Sequence, residues 1–184
     1  KSTVSVNVAL ALAHRHNKLV GILDADIYGP SMHRLMGIKT REKQVNPTNN
    51  RLVPSSNYNV RVMSMGMIVP EDSATIWRGP MVMGAINQLL TQTDWQELDY
   101  LVVDLPPGTG DAQLTLCQRV QMDGAVIVST PQDIALIDAR RGIHMFRQVN
   151  VPVLGLVENM SYHRCSNCGH EEHIFGHGGA ERCA

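Results

Sequence analysis

Short apolar runs recur along the chain, and each ends at an acidic residue, a glycine or a proline. Such runs are typical of strands buried on both faces of a parallel sheet. They are 19–23, 101–103, 124–131 and 152–158, with 60–65 as a further candidate. Helical spacing of apolar residues, or a composition rich in Ala and Leu, predicts helices between them. These helices are 4–14, 81–93, 112–119 and 133–149. The alternation predicts βαβ units and a doubly wound, mostly parallel α/β sheet.

The remaining segments connect these elements. The stretch 37–59 is polar and contains prolines and several asparagines, which predicts a long surface connection. A Trp-Arg-Gly-Pro turn at 77–80 precedes the helix at 81–93. We expect one domain over 1–184, with a distinct cysteine-containing segment at 161–177.

The run Tyr-Leu-Val-Val-Asp-Leu-Pro-Pro-Gly-Thr-Gly-Asp at 100–111 carries the strongest chemical signal. Asp104 follows a predicted strand, at the end of the sheet where open α/β folds bind ligands. The prolines and glycines after it cannot continue a strand, so they form a loop with fixed bends. This combination favours a carboxylate associated with Mg²⁺ and a loop that senses a phosphate. The alternative is that Asp104 only caps the next element.

Two further features point to the same chemistry. Lys1-Ser2-Thr3 opens a predicted helix, as the last residues of the phosphate-binding loop G-x-x-x-x-G-K-[ST] do. Asp24 and Asp26 follow the strand 19–23, so two strands deliver acids to one edge of the sheet. In nucleotide-hydrolysing sites one acid supports Mg²⁺ and another orients the attacking water. The alternative interpretation gives both aspartates only turn and cap roles.

The glycines of that loop would precede Lys1, and the chain begins with Lys rather than Met. We therefore interpret the sequence as a fragment. We expect these 184 residues by themselves to bind ATP weakly or not at all.

Composition limits the classes of function. Hydrophobic residues make up 43% of the chain and charged residues 18%, which is typical of a globular protein. The net charge of −1 argues against nucleic-acid or membrane-surface binding driven by bulk charge. No apolar run reaches the roughly 18 residues that a membrane-spanning helix needs, so we expect no stable membrane insertion.

The segment 161–177 contains Cys165-Ser-Asn-Cys168-Gly, a pattern that turns two thiolates toward one point. Three interpretations remain open. A zinc ion could be completed by two of His163, His170, His173 and His177; the cysteines could be unligated; or they could be half of a four-thiolate site completed by a second copy of the chain. Cys117 and Cys183 have no partner at useful spacing and are assigned structural roles.

Several motifs together resemble one family, the Mrp/NUBPL group of deviant-Walker P-loop ATPases, which act as iron–sulfur cluster carriers. The motifs are Lys1-Ser2-Thr3, Asp24-Ala-Asp-Ile-Tyr-Gly-Pro-Ser31, Trp77-Arg-Gly-Pro80, Asp104-Leu-Pro-Pro-Gly-Thr-Gly-Asp111, Ser129-Thr-Pro-Gln132, Asn159-Met160 and the Cys165/Cys168 pair. They occur in the family's order over nearly the whole chain. The segments 90–104 and 128–139 look most like the mitochondrial NUBPL branch. The resemblance implies a P-loop NTPase fold of the SIMIBI type with a Cys-x-x-Cys insertion.

The resemblance also implies roles for individual residues. Lys1 would be the phosphate-loop lysine, Ser2 the Mg²⁺ ligand beside Thr3, and Asp104 the Walker B carboxylate. Asp24 and Asp26 would form the first switch, with Asp26 and Lys1 as the catalytic residues. The γ-phosphate would be sensed by Gly108 and Gly110, and the adenine recognised by Asn159. Cys165 and Cys168 would each supply one of the four thiolates of a [4Fe–4S] cluster that bridges a homodimer.

The function that this resemblance implies is a weak ATPase serving a carrier. ATP and Mg²⁺ would govern loading and release of a cluster delivered to iron–sulfur apoproteins, with subunits of respiratory complex I as the candidate recipients. The branch resemblance implies the mitochondrial matrix, with the cytoplasm as the alternative. The rival hypothesis is a zinc-stabilised positioning ATPase that binds its partner through a nucleotide-driven dimer.

Overall fold

The computed structural model describes residues 1–38, 45–67, 79–108 and 110–183. The chain divides into two compact units, Lys1–Pro107 and Gly108–Ala184. The first contains α1 (Ser2–Arg15), β1 (Val20–Asp24), α2 (Met32–Leu35), β2 (Ser55–Asn57), β3 (Val60–Ser64), a 3-10 turn (Met65–Met67), α3 (Gly79–Thr91) and β4 (Tyr100–Asp104). The second contains α4 (Asp111–Arg119), β5 (Ala125–Ser129), α5 (Asp133–Gln148), β6 (Val153–Glu158), β7 (His163–Arg164) and β8 (Glu171–Glu172).

The first unit is built on a four-stranded sheet in the order β2-β3-β1-β4. Strands β3, β1 and β4 are parallel, and β2 pairs antiparallel with β3. All five residues of β1 are buried, as expected for an apolar strand with a parallel neighbour on each side. Helix α1 contributes Val6, Ala9 and Ala13 to the same apolar core as Ile22 and Val62. Small residues on α1 allow its backbone to pack closely on the sheet.

Strand register determines which polar residues meet at the end of this sheet. Asp24 pairs with Asp104 on one side and with Ser64 on the other. These three residues end β1, β4 and β3, and all three are buried. The carboxyl ends of three parallel strands therefore carry two buried carboxylates and a hydroxyl.

The second unit contains two small sheets. Strand β5 pairs in parallel with β6, and β7 pairs antiparallel with β8. Helix α5 carries a buried apolar stripe, Leu136, Ala139, Ile143, Met145 and Phe146. The hairpin of β7 and β8 holds the cysteine pair between its strands.

The predicted α/β fold with parallel strands is confirmed, and every predicted strand and helix is present with small changes of bounds. The expectation of burial on both faces holds for β1 and is wrong for β4, whose residues 101–103 are only half-buried. Among the described residues of the first unit, β4 is the edge strand of the sheet and pairs with β1 on one side. Val126 of β5 is likewise 51% exposed.

The sequence did not predict β2, which lies within the predicted surface connection 37–59. Tyr58 and Asn59 both have positive φ, at 50° and 61°, and join β2 to β3 as a two-residue hairpin turn. Residues 39–44 of that connection, and Trp77 and Arg78 of the predicted turn, lie outside the described residues. Within the described part of the chain, no helix combines the length and apolar character needed to cross a membrane.

Candidate functional site

The start of α1 lies against the end of β4 and surrounds Asp104 with donors. The Lys1 Nζ atom lies 3.0 Å from Asp104 Oδ1, and the Ser2 hydroxyl donates to Oδ2 at 2.5 Å. The Ser5 hydroxyl donates to Oδ1 at 3.1 Å. Asp104 is 2% exposed, so this carboxylate is held by one cation and two hydroxyls in a nearly water-free position. Lys1 also donates to the carbonyl of Leu105.

Helix geometry explains this arrangement. Ser2 and Ser5 are three residues apart and share one face of α1, and that face meets the sheet edge where Asp104 ends β4. The sequence predicted Ser2 and missed Ser5, although the same spacing could have identified it. A buried carboxylate and a hydroxyl are hard oxygen donors of the kind that Mg²⁺ prefers, so this donor set fits that ion. The N-terminus of the 14-residue α1 also favours an anion.

Asp24 is fully buried, and donors of the protein surround both of its oxygens. Oδ2 accepts from the Ser31 and Met32 N–H groups at 3.0 Å each and from the Ser64 hydroxyl at 2.9 Å. Oδ1 accepts from the Asp26 N–H at 3.1 Å. Burial raises the pKa of Asp24; the hydrogen bonds act in the opposite direction, and the charge of Asp104 adds to the rise. Asp24 therefore fixes the path of the chain from the end of β1 to the start of α2.

Asp26 is less buried and organises its own turn. Its Oδ1 accepts from the N–H groups of Tyr28 and Gly29, at 3.1 Å each, which forms an Asx-type turn. Thr3 is exposed on α1, and its carbonyl accepts from the Asn7 side chain at 2.8 Å. The catalytic role assigned to Asp26 and the binding role assigned to Thr3 stay predictions.

Three further predicted nucleotide residues belong to the second unit. Gly108 has φ of +93°, a conformation that favours glycine, and its carbonyl accepts from the Gln113 side chain at 3.2 Å. Gly110 is the N-cap of α4. The Asn159 N–H donates to the Ser129 carbonyl at 2.8 Å, so this residue follows β6 and is tied to the end of β5. Their roles toward the phosphates and adenine stay predictions.

The cysteine pair forms a tight knuckle between β7 and β8. The Cys165 N–H donates to the His170 carbonyl, and the Gly169 N–H donates to the Cys165 carbonyl, both at 2.9 Å. Gly169 has φ of +73°, which explains the glycine after Cys168. Hydrogen bonds from the N–H groups of Cys168 and then Asn167, together with the Cys168 thiol, lower the pKa of Cys165. Cys165 is half-buried and Cys168 is exposed.

The other candidate ligands are placed differently. A ring nitrogen of His173 hydrogen-bonds to the Ser161 carbonyl, and the rings of His173 and His177 lie 4.5 Å apart. Among the described residues, no group of three or more His, Cys, Asp or Glu side chains is arranged to hold a metal ion. Cys117 is buried, which raises its pKa, and the Cys183 Sγ atom accepts from Arg140 Nε at 3.4 Å.

Comparison with known proteins decides the family. Over residues 1–184 the sequence matches the ParA family profile described as NUBPL iron-transfer P-loop NTPase. The chain belongs to this family. The family resemblance read from the motifs is thereby confirmed, and so is the P-loop NTPase fold.

Relatives within this family are identical to the chain at more than half of the aligned positions. It is 57% identical over 184 residues to an iron-sulfur cluster carrier protein of Pseudomonas fragi. It is 56% identical to the iron-sulfur cluster transfer protein NUBPL of Dictyostelium discoideum. An Arabidopsis thaliana protein, named iron-sulfur protein required for NADH dehydrogenase, mitochondrial, is 52% identical. Each match covers the whole chain but only 64%, 57% and 58% of these relatives.

Solved structures agree with the fold. The nucleotide-binding protein of Archaeoglobus fulgidus in complex with ADP, described with Co found in it, matches with a TM-score of 0.82 and 40% identity. That match covers 98% of the chain and 70% of that protein. The cell-division ATPase MinD of Pyrococcus furiosus, at 17% identity and a TM-score of 0.61, shares the fold over 86% of the chain and 66% of its own.

Proposed function

We propose that this member of the NUBPL family is an ATP-dependent carrier of iron–sulfur clusters. Two copies of the chain hold a [4Fe–4S] cluster between them through Cys165 and Cys168 of each and deliver it to apoproteins. The names of the relatives support cluster transfer in this family. The cluster is cargo, and nucleotide controls when it is held and when it is released.

The observation that carries this proposal is the preorganised knuckle. Its backbone hydrogen bonds favour the thiolate form of Cys165, and thiolate is the ligand form that iron–sulfur clusters require. Cys168 follows three residues later in the same tight turn and is open to solvent. One knuckle supplies two of the four thiolates that such a cluster takes, so a second copy of the chain completes the set. A cluster with two ligands from each subunit is released when the interface rotates slightly.

For nucleotide binding and hydrolysis, we assign roles to polar residues at the carboxyl ends of β1 and β4 and at the start of α1. Mg²⁺ would be held by the Ser2 hydroxyl and the Asp104 carboxylate, and it would neutralise phosphate charge. Lys1 contributes a further positive charge beside Asp104. Asp24 holds the turn that contains Asp26, and Asp26 orients the attacking water. For Thr3, Gly108, Gly110 and Asn159 we retain the phosphate and adenine roles that the family motifs imply.

The proposal also covers the proteins that receive the cluster and the cell compartment in which the carrier works. The name of the Arabidopsis relative supports delivery to subunits of respiratory complex I, and hence a place in the mitochondrial matrix. Import of the full-length protein into isolated mitochondria, scored by protease protection inside the inner membrane, tests this compartment. If the protein remains outside the mitochondria, the result would favour a carrier that works in the cytoplasm.

Anaerobic reconstitution of the full-length protein with iron and sulfide tests the carrier function. We expect the visible absorbance of a [4Fe–4S] cluster in the wild type, and its loss in Cys165→Ser. Cys183→Ser is the matched control, because Cys183 lies outside the knuckle, and it should keep the chromophore. An unchanged spectrum in Cys165→Ser, or one zinc ion bound within each single subunit, would refute the proposal.

A further inference from the structure

Glu158 closes the base of the segment that carries the two cysteines. We call residues 159–177 the cysteine loop. Glu158 ends β6 immediately before this loop, and Gly178 to Ala180 follow it. The Glu158 Oε1 atom accepts from the Gly178 N–H at 3.0 Å, and Oε2 accepts from the Ala180 N–H at 2.7 Å. One carboxylate therefore joins the two ends of the loop across 20 and 22 residues of sequence.

The start of the loop is fixed by the same carboxylate. The Ser161 hydroxyl donates to Glu158 Oε1 at 2.9 Å and lies 3.2 Å from the Glu158 carbonyl. The Ser161 carbonyl in turn hydrogen-bonds to a ring nitrogen of His173, on the returning arm of the loop. Glu158 and Ser161 thus link the outgoing arm to both the returning arm and the residues beyond it.

The returning end is also fixed against helix α5. A Cβ atom added at Gly179 would lie 2.7 Å from a Leu136 methyl and 3.1 Å from the Pro131 backbone, so this segment packs tightly where it lies. Gly178 has φ of +70°, which turns the chain next to the Glu158 carboxylate. These contacts hold the peptide N–H groups of residues 178 and 180 at the two carboxylate oxygens.

We propose that Glu158 is a positioning residue for the cluster cargo: by holding the base of the cysteine loop, it keeps the Cys165 and Cys168 thiolates in the geometry that retains the cluster. The inference rests on the proposed carrier function. The hydrogen bonds of Glu158 lie at the base of the cysteine loop, so Glu158 acts on the cysteines through the loop. Hydrogen bonding by Ala180, Ser161 and Gly178 lowers the pKa of Glu158, which favours the charged carboxylate.

Glu158→Gln tests this role with little change of shape. The variant replaces one accepting oxygen by an NH₂ group, which donates and cannot accept from a peptide N–H. We expect the reconstituted full-length variant to lose its cluster to an iron chelator faster, on the order of tenfold, as when residues supporting metal ligands are changed. Glu181→Gln removes the same charge from an exposed residue next to Ala180 and should release cluster at the wild-type rate.

A second readout does not need the cluster. In the apoprotein, Glu158→Gln should exchange the amide hydrogens of residues 160–180 faster, whereas α5 should exchange as in the wild type. Ser161→Ala removes one donor to Glu158 and leaves the backbone donors in place, so it should give an intermediate rate of cluster loss. Circular dichroism and thermal unfolding establish that the variants are folded.

The outcomes separate the two proposals. If the wild type takes up no cluster, the carrier function is refuted and the positioning role with it. If the wild type holds a cluster and Glu158→Gln matches it in both release and amide exchange, only the positioning role is refuted. Faster exchange with unchanged release also overturns it, because Glu158 would then hold the loop without affecting the cargo.

Discussion

The two cysteines of the knuckle differ although only two residues separate them. Cys165 is half-buried and receives backbone N–H groups, while Cys168 is exposed at the turn. Peptide N–H groups that point at sulfur stabilise a thiolate, as they do at other reactive cysteines. The knuckle is therefore chemically asymmetric before any metal binds.

This asymmetry predicts a difference in alkylation of the apoprotein. Because its pKa is lowered, Cys165 has a larger thiolate fraction near neutral pH, and its alkylation should remain fast to lower pH than that of an unperturbed thiol. Mass spectrometry after brief iodoacetamide treatment over a series of pH values measures the profile of each cysteine. The buried Cys117, whose pKa is raised, is the internal reference and should react only at higher pH. A Cys165 profile that overlays that of Cys117 would contradict the prediction.

Glu158 predicts a dependence of stability on pH. Its pKa is lowered in the folded protein from an ordinary value of 4.5, chiefly by the Ala180 N–H. A group with a depressed folded pKa stabilises the fold above its unfolded pKa, and this contribution is lost as the pH falls through the folded pKa. The wild type should thus unfold at higher urea than Glu158→Gln at pH 7, and the two midpoints should converge in acid. A difference that is constant with pH would exclude the carboxylate as its source.

At the scale of elements, glycines in β1 and α3 have opposite environments. A Cβ at Gly21, in the middle of the sheet, would lie 2.8 Å from the nearest Leu98 methyl and 3.1 Å from both Leu101 and Trp95. A Cβ at Gly84, exposed on α3, would meet no atom of a neighbouring described residue within 4 Å. Close packing requires a glycine at position 21, whereas Gly84 has no such contact and lowers the stability of α3.

The expected result is a pair of changes with opposite sign. Gly21→Ala should lower the free energy of unfolding by about 1–3 kcal/mol through overpacking. Gly84→Ala should raise it by about 0.5–1 kcal/mol, because alanine favours the helix. Urea unfolding followed by circular dichroism measures both. A Gly21→Ala protein as stable as the wild type would contradict the packing described around β1, and a destabilised Gly84→Ala protein would contradict the open environment of Gly84.

A buried network links the ends of β1 and β3. The Ser64 hydroxyl donates to Asp24 at 2.9 Å and accepts from the Gly66 N–H at 3.2 Å. Ser64→Ala would deprive a buried carboxylate of a donor and a buried N–H of its acceptor, which should cost about 1–3 kcal/mol of stability. Ser56→Ala, at an exposed position on β2, is the control and should stay within about 0.5 kcal/mol of the wild type. Equal unfolding midpoints for the two variants would contradict the role of Ser64.

These elements also show how far sequence reasoning reaches. The apolar run of β1 and the spacing in α5 depend on local pattern, so both were predicted almost to the residue. The short strand β2 has no apolar run of its own and exists because β3 offers a partner. The feature that defines β2 is the tight turn at Tyr58 and Asn59. That turn is evident from the positive φ angles of the two residues and not from the sequence pattern.

The same limit applies to the candidate site. Asp104, Ser2 and the two cysteines were predicted because motifs place them in sequence. The contacts of Ser64 and Glu158 depend on register and on loop closure over many residues, which no local pattern encodes. The sequence predicts which chemical groups form the candidate site, and the structure shows the hydrogen bonds of Ser64 and Glu158 that no local pattern predicts.

For the whole molecule, the residues proposed to hold Mg²⁺ and to act in catalysis belong to one unit, and the proposed cluster ligands belong to the other. The acids at the sheet edge and the lysine at the start of α1 lie in the first unit, and the knuckle lies in the second. The chain spans about half to two thirds of the length of the curated relatives that it matches. Tests of the assembled carrier therefore belong on the full-length protein.

The final prediction concerns how many chains share one cluster. Each knuckle offers two thiolates and a [4Fe–4S] cluster takes four, so reconstitution should give about two iron atoms per chain and a dimer. Anaerobic size-exclusion chromatography with light scattering and iron analysis measures both. Cys168→Ser should lose the iron and the iron-dependent dimer together, whereas Cys183→Ser should keep both. Nearly four iron atoms on a monomer would mean that one chain supplies all the ligands, and the shared cluster would be excluded.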